Sequence, residues 1–196
     1  MSASSCSLFA FVKSSIGRKI IVAVTGLALV LFLAGHLTGN LLIFAGRDAF
    51  NDYAQFLHEV FHGAGVWIAR VGLLACFVAH IWFTVLLTKE NKTARKKYAN
   101  QATVQAPKSS LIMIWSGLTI LAFVIFHLLH FTVKAGTDYA SFMQVIVGFS
   151  NPLVVIFYVI AMTLLCSHLS HGVASIFQTL GLRTKKTAGP ITVLSK

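Results

Sequence analysis

Long apolar runs, separated by short polar and basic segments, set the pattern of this chain. Four of these runs are long enough to cross a bilayer as helices, which takes about 20 residues each. They occupy residues 20–45, 66–87, 110–133 and 152–177. The pattern therefore predicts an all-α membrane protein, a transmembrane four-helix bundle that forms a single domain over residues 1–196.

The segment between the first two runs, residues 48–62, has a different pattern. Its large apolar side chains recur at helical spacing among polar residues, and they are Phe50, Tyr53, Leu57, Val60 and Phe61. Such a segment is typical of an amphipathic helix that lies in the membrane interface. Asp48 stands where it could cap this helix.

Local signals also mark both ends of the fourth predicted helix. Ser150 and Asn151 are cap candidates, and Pro152 follows at a position suited to the first helical residue. Gly181 stands where a helix would stop. The fourth helix is therefore expected to extend beyond the membrane surface.

The charged residues define a topology rather than a nucleic-acid surface. The chain is 57% hydrophobic and 11% charged, with a net charge of +11, and its cations flank apolar runs instead of forming a stripe on a polar fold. Most of them fall in three segments: before the first run, between the second and third, and after the fourth. These cations are Lys13, Arg18, Lys19, Lys89, Lys92, Arg95, Lys96, Lys97, Lys108, Arg183, Lys185, Lys186 and Lys196. The positive-inside rule then predicts that both termini and the middle loop are cytoplasmic.

The three cysteines do not suggest chemistry of their own. Cys6, Cys76 and Cys166 are scattered, and the last two lie in apolar runs. They build neither a disulfide framework nor an iron–sulfur motif. If the protein handles electrons, an iron–sulfur cluster must belong to a partner.

Histidines inside the apolar runs carry the strongest functional signal. Six of the eight histidines fall there: His36, His80, His127, His130, His168 and His171. Ionisable side chains are rare at membrane depth and usually functional. The alternative for any single one is a hydrogen bond to a neighbouring helix.

The depths of four of these histidines form two levels. At the helical rise, His36 and His127 lie about 25–28 Å from the cytoplasmic cation that borders their span, in the outer half. His80 and His168 lie about 14–22 Å from theirs, nearer the inner half. One histidine on each helix at two depths is the arrangement needed to hold two haems by bis-imidazole ligation. Iron held in this way has no open position, so such haems carry electrons.

Glycines near these histidines are compatible with the same interpretation. Gly35 and Gly39 flank His36, and Gly172 stands one turn after His168. Small residues let a flat porphyrin approach a helix, although they serve ordinary helix packing equally.

The histidine segments resemble one known family, the di-haem cytochrome b membrane-anchor subunit of succinate dehydrogenases and fumarate reductases. The resemblance covers nearly the whole chain, from about Phe11 to Gly181. Its motifs are Gly35-His36-Leu37-x-Gly39-Asn40-Leu41, Ala79-His80 before a basic Lys-Tyr loop, Gly117 with Phe126-His127-Leu128, and His168-x-x-x-Gly172 before Leu180-Gly181.

The resemblance implies a haem-ligand set. It pairs His36 with His127 at an outer haem b and His80 with His168 at an inner one, in agreement with the depths. Two alternatives stay open, because His130 and His171 each lie one turn from a chosen ligand, and depth alone would favour His171 as the partner of His80. The family usually has a fifth transmembrane helix after the last ligand, and this chain lacks the corresponding segment.

The function implied by the resemblance is that of a membrane anchor in the succinate:quinone oxidoreductase of a bacterial cytoplasmic membrane. A flavoprotein subunit and an iron–sulfur subunit would dock on its cytoplasmic face, for which the basic loop Lys89 to Lys108 is a candidate surface. Electrons from succinate would reach menaquinone or another quinone, and fumarate reduction is the reverse flow. A di-haem subunit of another membrane dehydrogenase is the nearest alternative, and a proton or ion transporter would need no haem.

One motif is typical of a different class of protein, the zinc proteases. His58-Glu59-x-x-His62 has the spacing that zinc proteases use on a helix to hold a catalytic metal. It lies outside the apolar spans, however, and a third ligand is not evident. The resemblance places an acid for quinone chemistry near this position, so we expect Glu59, with His58, to exchange protons at an outer quinone site.

Overall fold

The described residues are mostly helical, and none of them forms a strand. The computed structural model describes residues 8–94, 113–133 and 140–194. Within them the helices are α1 (Leu8–Lys13), α2 (Ser15–Leu41), α3 (Arg47–Glu59), α4 (Ala64–Ala94), α5 (Met113–Leu128), α6 (Ser141–Gly148), α7 (Pro152–Thr179) and α8 (Ala188–Leu194). A short 3₁₀ turn follows α2 at Leu42–Ala45, a turn that contains left-handed residues follows α3 at Val60–Gly63, and a π-helical turn follows α5 at Leu129–Val133.

Four stretches of the described residues are helical, long and apolar enough to cross a membrane. They are Ser15–Ala45, Arg47–Asn91, Met113–Val133 and Pro152–Thr179. Large apolar side chains along them stay exposed, for example Trp82 at 64% and Leu153 at 73%. Surfaces of this kind suit lipid rather than water. The prediction of an all-α, multi-pass membrane protein is confirmed at this level.

Most of the observed helices begin before or end after the predicted spans. α2 begins at Ser15 rather than at residue 20, and α4 runs to Ala94 rather than to residue 87. α7 agrees closely with the predicted 152–177. Residues 110–112 of the third predicted span, and the basic residues from Arg95 to Lys108, lie outside the described residues.

Local sequence signals determine where α7 begins. Pro152 is its first residue, and its missing N–H would have no partner at this position in any case. The side-chain oxygen of Asn151 accepts a hydrogen bond from the backbone N–H of Leu153 at 2.9 Å. The predicted cap is confirmed.

The end of α7 is a glycine-terminated helix end. Gly181 has a φ of +73°, which suits a residue without a Cβ. The N–H of Leu182 donates to the carbonyl of Phe177 at 2.9 Å, and that of Gly181 donates to Gln178 at 3.2 Å. This pair of bonds is the Schellman arrangement. The predicted stop at Gly181 is confirmed.

Helix α3 is shorter than the predicted 48–62, and its cap differs. The N-cap residue is Gly46, which has no side chain to cap the helix, so the prediction of Asp48 as cap is wrong. Asp48 lies instead in the first turn, where its charge complements the helix dipole. The helix ends at Glu59, because Phe61 and His62 adopt left-handed φ values of 52° and 56°.

The chain divides into two compact units. The first combines Met1–Phe32, Arg70–Gln105 and Gly172–Lys196. The second combines Leu33–Ala69 and Ala106–His171.

In the first unit, α2 and α4 are tied together by polar groups. Arg18 forms an ion pair with Glu90, and the hydroxyl of Ser15 donates to the same carboxylate at 3.4 Å. Deeper along α2, Ala23 is 3% exposed. A small residue at this position permits close approach of neighbouring helices.

In the second unit, α3 packs against α6 and α2. The rings of Phe50 and Phe142 meet edge to face at 6.3 Å, and the side-chain oxygen of Asn51 accepts from the N–H of Phe142 at 3.0 Å. A Cβ added to Gly39 would lie 2.5 Å from Tyr53. The glycine at position 39 thus makes room for a side chain of α3, which is ordinary helix packing.

Candidate functional site

His36 and His127, the predicted ligands of the outer haem, lie side by side in the second unit. Their ring centroids are 5.8 Å apart and their planes are nearly perpendicular, at 87°. An iron bound by two imidazoles requires centroids roughly 6 Å apart, because each metal–nitrogen bond is about 2 Å long. The centroid spacing of this pair is compatible with two imidazole ligands of one iron, and it is also that of an edge-to-face ring contact.

A tyrosine hydroxyl from α7 lies between His127 and the alternative ligand His130. The Oη atom of Tyr158 lies 3.1 Å from Nδ1 of His127 and 3.4 Å from Nδ1 of His130. His130 belongs to the π-helical turn that follows α5. One hydroxyl therefore contacts the same nitrogen on both candidate ligands.

Phenylalanine rings surround Tyr158. Phe149 and Phe123 lie closest, with centroids at 4.7 Å and 5.0 Å in edge-to-face geometry. Further ring contacts come from Phe126, Phe131 and Phe157. Edge-to-face packing of this kind favours one orientation of the phenol ring.

His80, a predicted ligand of the inner haem, is held by α2 within the first unit. Its Nδ1 lies 3.2 Å from the carbonyl oxygen of Val22 and 3.2 Å from the hydroxyl of Thr25. That hydroxyl donates its own proton to the carbonyl of Ile21 at 2.7 Å. Both neighbours therefore accept, so Nδ1 of His80 carries the proton.

The other ring nitrogen of His80 is left with its lone pair. Nε2 makes no hydrogen bond to any described residue. Ligating histidines usually donate from one ring nitrogen to a carbonyl or another acceptor while the other nitrogen binds the metal. His80 has this arrangement.

His168, its predicted partner, has a similar contact in the second unit. Its Nδ1 lies 3.1 Å from the hydroxyl of Ser116 on α5, which is only 2% exposed. Ser116 donates to the carbonyl of Met113 at 3.0 Å, so it accepts from His168. His168 is thus also protonated on Nδ1.

The alternative ligand His171 lacks such an anchor. It makes no hydrogen bond, ion pair or ring contact within the described parts of the chain. His80 belongs to the first unit, whereas His168 and His171 belong to the second. The pairing of His80 with one of them stays a prediction.

Glycines near the histidines have different surroundings. A Cβ added to Gly26 would lie 3.1 Å from Cε1 of His80, so this position makes room for the imidazole. At Gly35 and Gly172 an added Cβ would meet no atom within 4 Å among the described residues. Gly35 and Gly172 are thus compatible with a flat group, whereas Gly39 is explained by Tyr53.

The zinc-protease spacing at residues 58–62 does not form the corresponding site. His58 lies on α3, but His62 follows the end of that helix in a left-handed conformation. The two rings therefore do not share one face of a continuous helix, which the motif requires. No group of three metal-binding side chains occurs in residues 8–94, 113–133 and 140–194.

Glu59 and His58 lie exposed at the end of α3. The Glu59 carboxylate accepts from the side-chain amide of Gln55 at 2.7 Å, and Nδ1 of His58 contacts the carbonyl of Ala54 at 2.8 Å. His58 also borders an open surface groove of about 240 Å³ whose other lining residues are Asn51, Ala54, Gln55, Ala140 and Ser141. Both side chains are thus open to proton exchange with solvent.

Four residues at these sites were not predicted. Tyr158, Thr25, Ser116 and Gly26 each contact a candidate ligand from another helix. A polar residue within an apolar run was an available signal for the first three. Its partner depends on which helices pack together, which spacing within one helix does not encode.

The sequence matches no protein-family model, and no match was found among curated proteins or among solved structures.

Proposed function

We propose that this chain is the haem-binding membrane anchor of a succinate dehydrogenase or fumarate reductase. Four histidines would hold two b-type haems: His36 with His127 in the outer half, and His80 with His168 in the inner half. The observation that carries the proposal is the 5.8 Å separation of the His36 and His127 rings, which fits an iron between them. The family resemblance supplies the rest of the assignment.

Two haems with these ligands would supply one-electron transfer and would have no open position for oxygen. The chain's own residues prepare the imidazoles for this role. Val22, Thr25 and Ser116 accept from Nδ1 of the inner histidines, which would leave the Nε2 lone pair available to a metal. In a bilayer, the apolar helices would exclude water from the same region.

The partners follow from the proposed topology. With both termini and the middle loop in the cytoplasm, the flavoprotein and iron–sulfur subunits would dock on that face of a bacterial inner membrane. The cations flanking the spans support this orientation. Within this bundle the chain would pass electrons between the iron–sulfur subunit and menaquinone or another quinone.

Quinone chemistry also requires protons. We assign proton exchange on the outer side to Glu59, assisted by His58. In support of this assignment, both side chains are exposed at the end of α3, the helix that packs against α2 through Tyr53 and Gly39.

Purification of the complex from its native membrane tests the assignment. A flavin-containing subunit should accompany the chain, and succinate should reduce the haems. Haems that are present but inert to succinate would indicate a different membrane dehydrogenase. A protein without haem would exclude both and favour a transporter that uses its membrane histidines.

A further inference from the structure

The Tyr158 hydroxyl offers a way to distinguish the two candidate ligands on the third span. A phenol hydroxyl has one proton to donate and lone pairs that accept. It contacts Nδ1 of His127 and Nδ1 of His130 at the same time. A neutral imidazole carries a proton on only one ring nitrogen. The Tyr158 hydroxyl makes no other hydrogen bond to the described residues, so its proton is available only to these two imidazoles. With that proton donated to one histidine, the other histidine donates to the phenol oxygen.

Two directions of this chain of bonds are possible, and they have opposite consequences. If His127 donates from Nδ1, its Nε2 is left with a lone pair, and His130 accepts at Nδ1 and carries its proton on Nε2. In the reverse direction His130 carries its proton on Nδ1 instead, and His127 carries its proton on Nε2. Tyr158 thus couples the tautomers of the two rings.

The surroundings favour the first direction. The ring of His36 lies 5.8 Å from that of His127, at the spacing of two ligands on one iron. His127 also has the shorter contact with the hydroxyl, at 3.1 Å against 3.4 Å. His80 and His168 already follow the same rule, since their Nδ1 atoms donate to acceptors on neighbouring helices.

We propose that Tyr158 is a positioning residue that fixes His127 in its Nδ1-protonated tautomer and His130 in the opposite one. His127 is then the iron ligand and His130 is not, an assignment that rests on the proposed haem function. The edge-to-face contacts with Phe123 and Phe149 hold the phenol ring in place, so the hydroxyl stays between the two imidazoles.

The tautomers can be measured without haem. The full chain is labelled with ¹⁵N-histidine, freed of haem and placed in lipid nanodiscs, and its signals are assigned with His127→Ala and His130→Ala. We expect protonation of His127 on Nδ1 and of His130 on Nε2. Tyr158→Phe should lower the ratio of the Nδ1-protonated to the Nε2-protonated form of His127 by about fivefold. This is the change expected for the loss of one ordinary hydrogen bond.

Tyr53→Phe is the matched control. Tyr53 lies in the same unit, and its hydroxyl makes no hydrogen bond to any described residue. Its removal should therefore leave the tautomer ratio of His127 unchanged. His127 protonated on Nε2, or a ratio unaffected by Tyr158→Phe, overturns the proposal. The near-isosteric change keeps the fold, which size-exclusion chromatography and circular dichroism verify.

Haem loading gives an independent readout. His130→Ala should retain two haems, His127→Ala should lose one, and Tyr158→Phe should shift the midpoint potential of that haem while Tyr53→Phe leaves it unchanged. If His130→Ala is the variant that loses the haem, the tautomer proposal fails and the proposed function survives. If the wild-type chain binds no haem, the proposed function fails and the nitrogen signals still decide the tautomers.

Discussion

The Nδ1 atom of His168 lies 3.1 Å from the hydroxyl of Ser116, which is almost completely buried and has its own proton committed to the carbonyl of Met113. The imidazole therefore donates to a side chain of another helix, which helps to fix its orientation. This relationship makes the role of Ser116 testable.

Ser116→Ala should weaken haem binding at the site of His168. Loss of a hydrogen-bond partner of a metal ligand typically costs about 10-fold to 100-fold in affinity. Haem titration of the purified chain measures the change. Ser170→Ala is the control, because the Ser170 hydroxyl donates only to a carbonyl of its own helix. Equal affinities for the two variants would exclude the positioning role of Ser116.

Thr25→Val should have a smaller effect at His80. The Nδ1 atom of His80 keeps the carbonyl of Val22 as an acceptor when the threonine hydroxyl is removed, so its tautomer is preserved. We expect a shifted midpoint potential with both haems retained, measured by redox titration. Thr38→Val, which removes a hydroxyl bonded only within α2, should leave the potential unchanged. Loss of a haem from Thr25→Val would contradict this explanation.

Gly26→Ala should disturb the same histidine by crowding. Its Cβ would lie 3.1 Å from Cε1 of His80, tighter than an ordinary van der Waals contact, so the ring must move by a few tenths of an ångström. We predict a lower haem content or an altered spectrum for one of the two haems. In the control Gly72→Ala, the new methyl group meets no described atom within 4 Å. A normal spectrum for Gly26→Ala would show that the ring position is not critical.

Glu59→Gln should separate proton exchange from haem binding. The amide keeps the size of the side chain but does not exchange a proton, and general acid–base groups typically contribute about 100-fold or more to a rate. Haem spectra should be unchanged, and quinone reductase activity of the complex should fall by at least about tenfold. Asp52→Asn, which alters another exposed acid of α3, should retain activity. Full activity in Glu59→Gln would refute the role.

The sequence predicted those features that depend on local chemistry. Asn151 and Pro152 start α7, and Gly181 ends it, because caps and left-handed glycines act within one turn of the chain. The four long helices follow from apolar runs for the same reason.

Features that depend on unusual backbone or on other helices were not predicted. The end of α3 was placed at residue 62, because Phe61 and His62 give no signal for left-handed φ values that bulky side chains rarely adopt. The contact between Tyr158 and His127 requires α5 and α7 to be neighbours in a particular register. The apolar pattern of a single helix does not encode that register.

The central claim is that this chain binds two haems through four histidines. An oxidised-minus-reduced optical spectrum of the purified membrane protein, combined with haem quantification, tests it most directly. The account predicts a b-type spectrum, two haems per chain, and the loss of a different haem from each of His36→Ala and His80→Ala. A colourless protein would contradict it.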